Sequence, residues 1–188
     1  ADTTENGCRW LKIANGGRGK IVWSEKSFLP SKFLSKHSDF VLKEADIVMA
    51  LTRPVISGEL KVAKMTKSDV PSLLNQRVAR VIPNSHRVSK EYLFTLLSWR
   101  KVANDIEQAI SGTDPPNVST RQIESLYYPL PPKEEQDLIA HSIGAVSDRV
   151  RTLSNKLVQI QDAKQALMQD LLTGKVRVQV DTRELADA

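Results

Sequence analysis

The sequence predicts an α+β protein, a mixed, curved-sheet domain followed by one long coiled-coil helix. Short strand-like runs separated by polar turns fill the first hundred residues. From Lys133 onward the apolar residues instead recur at alternating steps of four and three. A hydrophobic fraction of 40% with 26% charged residues belongs to an ordinary globular chain able to bury a core.

Arg9-Trp10-Leu11-Lys12-Ile13 alternates polar and apolar, as a half-buried strand does, and Lys20 to Trp23 repeats the pattern after the turn Asn15 to Gly19. Asp46 to Leu51 is an apolar run of the right length for one buried strand. Beyond Pro54 and Gly58, Glu59 to Ala63 reads as another strand, and Val78 to Ile82 as one stopped by Pro83. Ser89 has the chemistry of a helix N-cap, with Glu91 in the first turn and Tyr92, Leu93, Leu96 and Leu97 on one side. That helix continues or restarts through Val102, Ile106 and Ile110 before Gly112. Ser119 and Gln122 stand at capping-box spacing and start a short helix. Prolines at 129, 131 and 132 keep Tyr127 to Pro132 extended.

Ile139, Ile143, Val146, Val150, Leu153, Leu157, Ile160, Leu167 and Leu171 then form a heptad seam, with Lys164 in the one polar slot. Gly174 lies where a helix usually ends on a left-handed residue. About 36–38 residues at 1.5 Å each make a rod of roughly 55 Å. A stripe this narrow needs another helix, from a second copy, another protein or a further part of the same polypeptide; the plain alternative is one helix lying across its own domain. The expected division is therefore a domain over 1–132, a dimerisation helix over 133–174, and a strand or tail over 175–188.

The net charge of +5 is unevenly spread. Residues 1–103 hold 18 Lys/Arg against 9 Asp/Glu, leaving 9 against 13 for the rest of the chain's 27 and 22. A basic surplus confined to the first part points to a polyanion there. No apolar run reaches the roughly 20 residues of a membrane helix, and no signal-peptide pattern opens the chain. Cys8 is the lone cysteine, so the expected setting is a reducing cytoplasm. The first residue, Ala1, suggests loss of a preceding segment. His37, His86 and His141 are widely spaced, and no zinc site is expected.

Two fragments have an enzymatic reading. Asp114-Pro115-Pro116-Asn117 is similar to the Pro-Pro element of amino-methyltransferases, but Asn117 stands where an aromatic residue is needed, and a stiff turn explains it better. Asp46 with Glu59-Leu60-Lys61 has the residue types of a nuclease metal site, a short match that chance supplies easily.

Two longer stretches are more specific. Ile123-Glu124-Ser125-Leu126-Tyr127-Tyr128-Pro129-Leu130-Pro131-Pro132-Lys133-Glu134-Glu135-Gln136 resembles the element with which DNA-specificity subunits of type I restriction-modification systems pass from recognition domain to spacer helix. Ala166-Leu167-Met168-Gln169-Asp170-Leu171-Leu172-Thr173-Gly174-Lys175-Val176 resembles the close of that helix. Asp46 to Arg53 and Asn75 to Val78 fit less specifically, so that the resemblance covers about residues 40–178. It implies a target-recognition domain and one spacer helix, half of the usual two of each, with the first strands of the domain missing. It implies double-stranded DNA as ligand and methyltransferase (modification) subunits as partners, with a restriction subunit as a further one. The spacer helix would pair antiparallel, as a homodimer or with a missing half, and act as a ruler on DNA. No catalysis is expected in this chain, and no cofactor: S-adenosylmethionine and ATP would belong to the partner subunits. The competing reading is a non-enzymatic coiled-coil adaptor that binds another protein.

Candidates for DNA contact are polar and basic residues flanking the predicted strands. They are Asn15, Arg18 and Lys20; Thr52 and Arg53; Lys61, Lys64 and Lys67; Gln76, Arg77 and Arg80; and Asn117, Ser119 and Arg121. Arg53 leads, because Pro54 and Gly58 shape a loop able to approach a nucleic-acid backbone.

Overall fold

The structure, a computed structural model, describes residues 7–24, 26–112 and 114–178. The chain forms two compact units, Ala1–His141 and Ser142–Ala188.

The first unit is built around β4 (Ile47–Ala50), whose four residues are all buried. It pairs antiparallel with β7 (Val62–Lys64) on one side and β9 (Val78–Val81) on the other. Side chains alternate across a strand, so Ile47 and Met49 join Leu60 and Val62 in one core, closed by α2 (Lys90–Leu97) and α3 (Arg100–Ala109) through Leu97, Val102 and Ile106. Val48 and Ala63 face the opposite way into a second core with Leu11 and Leu42. These belong to a four-stranded sheet ordered β2-β1-β8-β3, from β1 (Cys8–Leu11), β2 (Phe28–Leu29), β3 (Val41–Leu42) and β8 (Ser72–Leu74). β1 and β8 run parallel among otherwise antiparallel pairs, so the sheet is mixed. Coverage on both faces explains why Asp46 to Leu51 reads as a continuous apolar run.

Several expectations require correction. Lys20 to Trp23 is not a strand; it holds one bridge, Gly16 to Ile21, and Val22 donates its N–H to the Asn15 carbonyl. The strand expected at Glu59 to Ala63 breaks at Lys61, whose N–H turns to the Pro54 carbonyl. Its first part, β6 (Glu59–Leu60), forms a hairpin with β5 (Val55–Ile56). The loop is Ser57-Gly58 with φ of 54° and 72°, the doubly positive turn that matches strand twist. The helix after Ser89 restarts, because Ser98 and Trp99 separate α2 from α3. Short α1 (Lys32–Lys36) and the two- and three-residue strands β2, β3 and β8 had no legible period.

Asp69 holds the edge of the second core. It is 6% exposed and accepts from Trp23 Nε1 at 2.7 Å and the Thr66 N–H at 2.9 Å. Burial alone would raise its carboxyl; the hydrogen bonds from Thr66 and Trp23, with the nearby Arg9 charge, overcome that and hold it below the usual aspartate range. A depressed native pKa gives stability above the unfolded value near pH 4 that is lost as pH falls through the native value. Asp69→Asn is therefore expected to cost about 2 kcal/mol at neutral pH, since its amide would face donors. Urea unfolding from neutral to acid pH should show a flatter acid limb for the variant; superimposable curves would remove Asp69 from this role.

Ser89 caps α2 by accepting from the Tyr92 N–H, and Ser119 and Gln122 form the expected capping box of α4 (Thr120–Glu124). The segment after α4 is pinned by Tyr92 Oη donating to the Pro129 carbonyl and by Tyr128 Oη donating to Asp105 Oδ2, both at 2.9 Å. Burial, and then the Asp105 carboxylate, raise the Tyr128 hydroxyl well above an ordinary tyrosine, so it stays a donor.

The last helix, α5, runs Lys133–Leu172, 40 residues or about 60 Å. Gln136 and Ala140 in its first turns are buried. From Ile143 to Leu167 the apolar seam residues are each about half exposed, between 48% and 64%. Gly174 follows at φ 72°. Residues 175–178 form no strand, and 179–188, the rest of the expected strand or tail, lie outside the described residues.

Candidate nucleic-acid interface

Five loop segments meet at one end of the three-stranded sheet because long-range backbone bonds hold them there. Ala50, at the end of β4, pairs with Val78 and donates to the Lys61 carbonyl; Leu51 donates to the Arg77 carbonyl at 2.9 Å. Val118 donates to the Leu51 carbonyl at 2.9 Å, Thr52 bridges to Asn117, and the Arg53 N–H reaches the Pro116 carbonyl at 2.7 Å. The Gly19 N–H bonds the Val62 carbonyl at 2.8 Å and brings in the first loop. Segments 18–20, 51–54, 60–62, 75–77 and 116–118 thus form one surface.

This surface carries Arg18, Lys20, Arg53, Lys61, Gln76, Arg77 and Asn117. Arg53 is exposed, and its backbone sits at φ 48°, the left-handed region that a branched or long side chain rarely enters. It shares an open concavity of about 520 Å³ with Lys61, Glu107, Ile110 and Pro116. Partial burial, and then the charge of Arg53, push the Lys61 ammonium below the usual lysine range. Among the described residues neither Arg53 nor Lys61 has an ion pair, so an anion here would relieve a like-charge contact. Arg18 is exposed and pairs with Glu59 at 3.0 Å, while Lys20, Gln76 and Arg77 are exposed. Asn117 is exposed and donates to its neighbour, the Pro115 carbonyl.

Other candidates are placed differently. Asn15 is fully buried; its side chain accepts from the Lys12 N–H and donates to the Val22 carbonyl, so it shapes the loop from within and cannot touch DNA in this fold. Thr52 is 7% exposed, and its contribution to the surface is the backbone bridge. Arg80 is spent on the Val41 and Asp39 carbonyls, with Asp46 at 3.7 Å, and acts as a staple. Lys64 lies opposite Ile47, at the far end of the sheet, and is matched by Glu91 at 3.5 Å. Lys67 is exposed on the turn before Asp69, away from the cluster in sequence and pairing. The Ser119 hydroxyl is committed to its helix cap, with Arg121 exposed on the same short helix.

Sequence reading missed Arg100. Its guanidinium lies against the Ser57-Gly58 turn, where a Cβ on Gly58 would stand 3.0 Å from its terminal nitrogen. No local pattern marks this arginine, because its neighbour is 42 positions away.

The enzymatic fragments come apart. Asp46, at the start of β4, is paired with Arg80 and Lys90, whereas Glu59 and Lys61 lie toward the strand's other end. Pro116 and Asn117 serve as a backbone brace for Thr52 and Arg53. No group of three or more metal-binding side chains is assembled among the described residues, and no helix among them is long and apolar enough to cross a membrane.

What the fold and surface define is a recognition module: a braced, cation-bearing loop platform in a chain that also carries a long helix with an exposed apolar seam. The chain belongs to the type I restriction modification DNA specificity domain family, whose model matches residues 6–162. That family is described by DNA specificity, a recognition role and not a catalytic one. The chain is 40% identical over 174 residues to the type I restriction enzyme MjaVIII specificity subunit of Methanocaldococcus jannaschii, covering 93% of this chain and 41% of that protein. It is 35% identical to the EcoAI specificity subunit of Escherichia coli, covering 86% of this chain and 27% of the relative. The chain thus spans about two fifths or less of these relatives. In fold it is similar to the HsdS subunit of Thermoanaerobacter tengcongensis, with a TM-score of 0.61 at 24% identity over 86% of this chain and 41% of that one. A chain from a structure of type I R-M complex assembly gives 0.65 at 22%, over 90% and 43%.

Proposed function

We propose that this protein is a sequence-specific DNA-binding specificity subunit, or half of one, of a type I restriction-modification system. Residues 1–132 would form the recognition domain, 133–174 the spacer helix and 175–188 a tail. The observation that carries the reading is the single loop surface with Arg53, Lys61 and Arg77 and no ion pair on any of the three among the described residues. Such a surface offers ammonium and guanidinium groups to phosphates, and Arg53, Gln76 and Asn117 as readers of base edges. Methyltransferase subunits, and in a restricting system a restriction subunit, would dock as partners, and the reading puts the protein in the cytoplasm. S-adenosylmethionine and ATP would be bound by those subunits. The exposed seam of α5 supports pairing with another helix, which in this reading runs antiparallel.

Selection from a randomised duplex pool near physiological salt tests the reading. A gapped inverted repeat is the expected product; a folded sample that enriches nothing favours the adaptor. Affinity for the selected duplex should also fall steeply with salt. With three to five phosphates neutralised, log K against log salt should slope by about −3 to −5. A flat response would contradict the electrostatic basis.

A further inference from the structure

We propose that Glu107 reads a cytosine: its carboxylate accepts a hydrogen bond from the N4 amino group of one cytosine in the major groove of the bound duplex. The inference rests on the DNA reading above and adds to it a specificity-determining residue and the base it selects.

Glu107 is exposed on α3 and lines the same concavity as Arg53 and Lys61. Its carboxylate has no hydrogen bond or ion pair among the described residues, whereas nearby Asp105 is held by Lys101 at 2.9 Å. The positions three and four away along the helix, Ala103, Asn104, Ile110 and Ser111, are uncharged, so α3 itself offers no cation to pair with. The Lys61 ammonium feels the charge of Arg53 and not that of Glu107, so the carboxylate stands apart from the two cations. One concavity thus holds two cations and a carboxylate that neither of them neutralises.

A carboxylate on a surface that faces a polyanion is repelled by every phosphate. It is costly there unless it meets a donor, and the major groove offers few. Guanine presents N7 and O6 and thymine presents O4, all of them acceptors. Adenine sets its N6 amino donor beside N7, an acceptor that repels a carboxylate and suits the amide of Asn or Gln instead. Cytosine alone presents an amino donor with no acceptor of its own. The guanine paired with it turns O6 and N7 into the same groove, and the cations Arg53 and Lys61 match those acceptors. Val55, Ile56 and Ile110 add apolar wall to the concavity. Where such a wall keeps water away, a carboxylate without a donor costs more, and discrimination between bases sharpens.

Selection from a randomised duplex pool with the full chain, and with its Glu107→Gln and Glu107→Ala variants, tests this. The parent should enrich a site with cytosine at one fixed position. Glu107→Gln should admit adenine beside cytosine there, because an amide also donates to N7, and Glu107→Ala should accept any base. Every other position should stay as in the parent. On the parent's site Glu107→Ala should bind about tenfold more weakly. A second measurement needs no variant to fold. Replacing that cytosine by a pyrimidinone lacking the N4 amino group should weaken the parent about tenfold, and weaken Glu107→Ala no further. Three results would overturn the inference and leave the DNA reading standing. They are variants that select the parent's site unchanged, affinity that rises equally on all sequences, and equal losses on the pyrimidinone duplex for parent and Glu107→Ala. A parent that enriches no sequence removes both the inference and the DNA reading.

Discussion

Arg53→Ala is expected to lower affinity for the selected duplex by about 1–3 kcal/mol while leaving thermal unfolding close to that of the parent. The side chain is exposed and has no ion pair among the described residues, so its removal breaks no ion pair there. The backbone is another matter. Its N–H is fixed to the Pro116 carbonyl and its φ of 48° is imposed by the brace with Asn117, which places the guanidinium beside Lys61. A long cationic side chain at a backbone angle suited to glycine, next to another cation, is a local cost of the kind that collects at functional sites. Arg53→Gly should therefore lose the same affinity and melt no lower than Arg53→Ala, because glycine occupies this region without strain. Titrating both variants against the selected site and single-base changes of it separates the possible contacts. Loss confined to one base position marks base readout, and equal loss on every sequence marks a phosphate. Undiminished binding would remove Arg53 from the interface.

Gln136→Leu is expected to destabilise the first unit by about 3 kcal/mol, lowering its melting temperature by roughly 6–12 °C. Gln136 is fully buried on α5, and its amide is used on both sides. Oε1 accepts from the Ser89 N–H at 2.8 Å, and Nε2 donates to the Arg87 carbonyl at 2.9 Å and the Pro131 carbonyl at 2.8 Å. Ser89 caps α2 with its hydroxyl, and in a capping box a Glu or Gln three residues on would take the cap's own N–H. Tyr92 occupies that place and cannot, so Gln136 supplies the missing half from 47 residues away. Leucine keeps the volume but takes the partner from three part-buried backbone groups. Gln136→Glu should fare little better, since a carboxylate would face two carbonyls. Differential scanning calorimetry of the two variants checks this, and a melting point within a degree or two of the parent would refute the clamp.

Features with a local cause were legible in the sequence. β4 and β9 show as apolar runs bounded by breakers, Ser89 and Ser119 as caps by residue type and spacing, and α5 by a period sustained over its length. β2, β3 and β8 were not, because two or three residues hold no period and their pairing supplies the order. The candidate interface was half legible. Residue type selected Arg53, Lys61 and Arg77, but it selected Asn15 and Arg80 equally, and those are respectively buried in a turn and spent on the Val41 and Asp39 carbonyls. Nothing in the residues around position 100 marks the arginine that lies against Gly58.

By itself the sequence determined the fold class, the starts of α2 and α4, the extent and seam of α5, the side of the chain that holds the positive charge, and the two signature stretches that mark the family. Each depends on residues within a turn or two of one another, or on composition alone. Tertiary structure decided which loops share a surface and which polar side chains are free to act there. Those outcomes turn on hydrogen bonds such as Arg53 to Pro116, Leu51 to Arg77 and Gly19 to Val62. Such bonds join backbone groups common to every residue, so they leave no signature in the side chains that the sequence records.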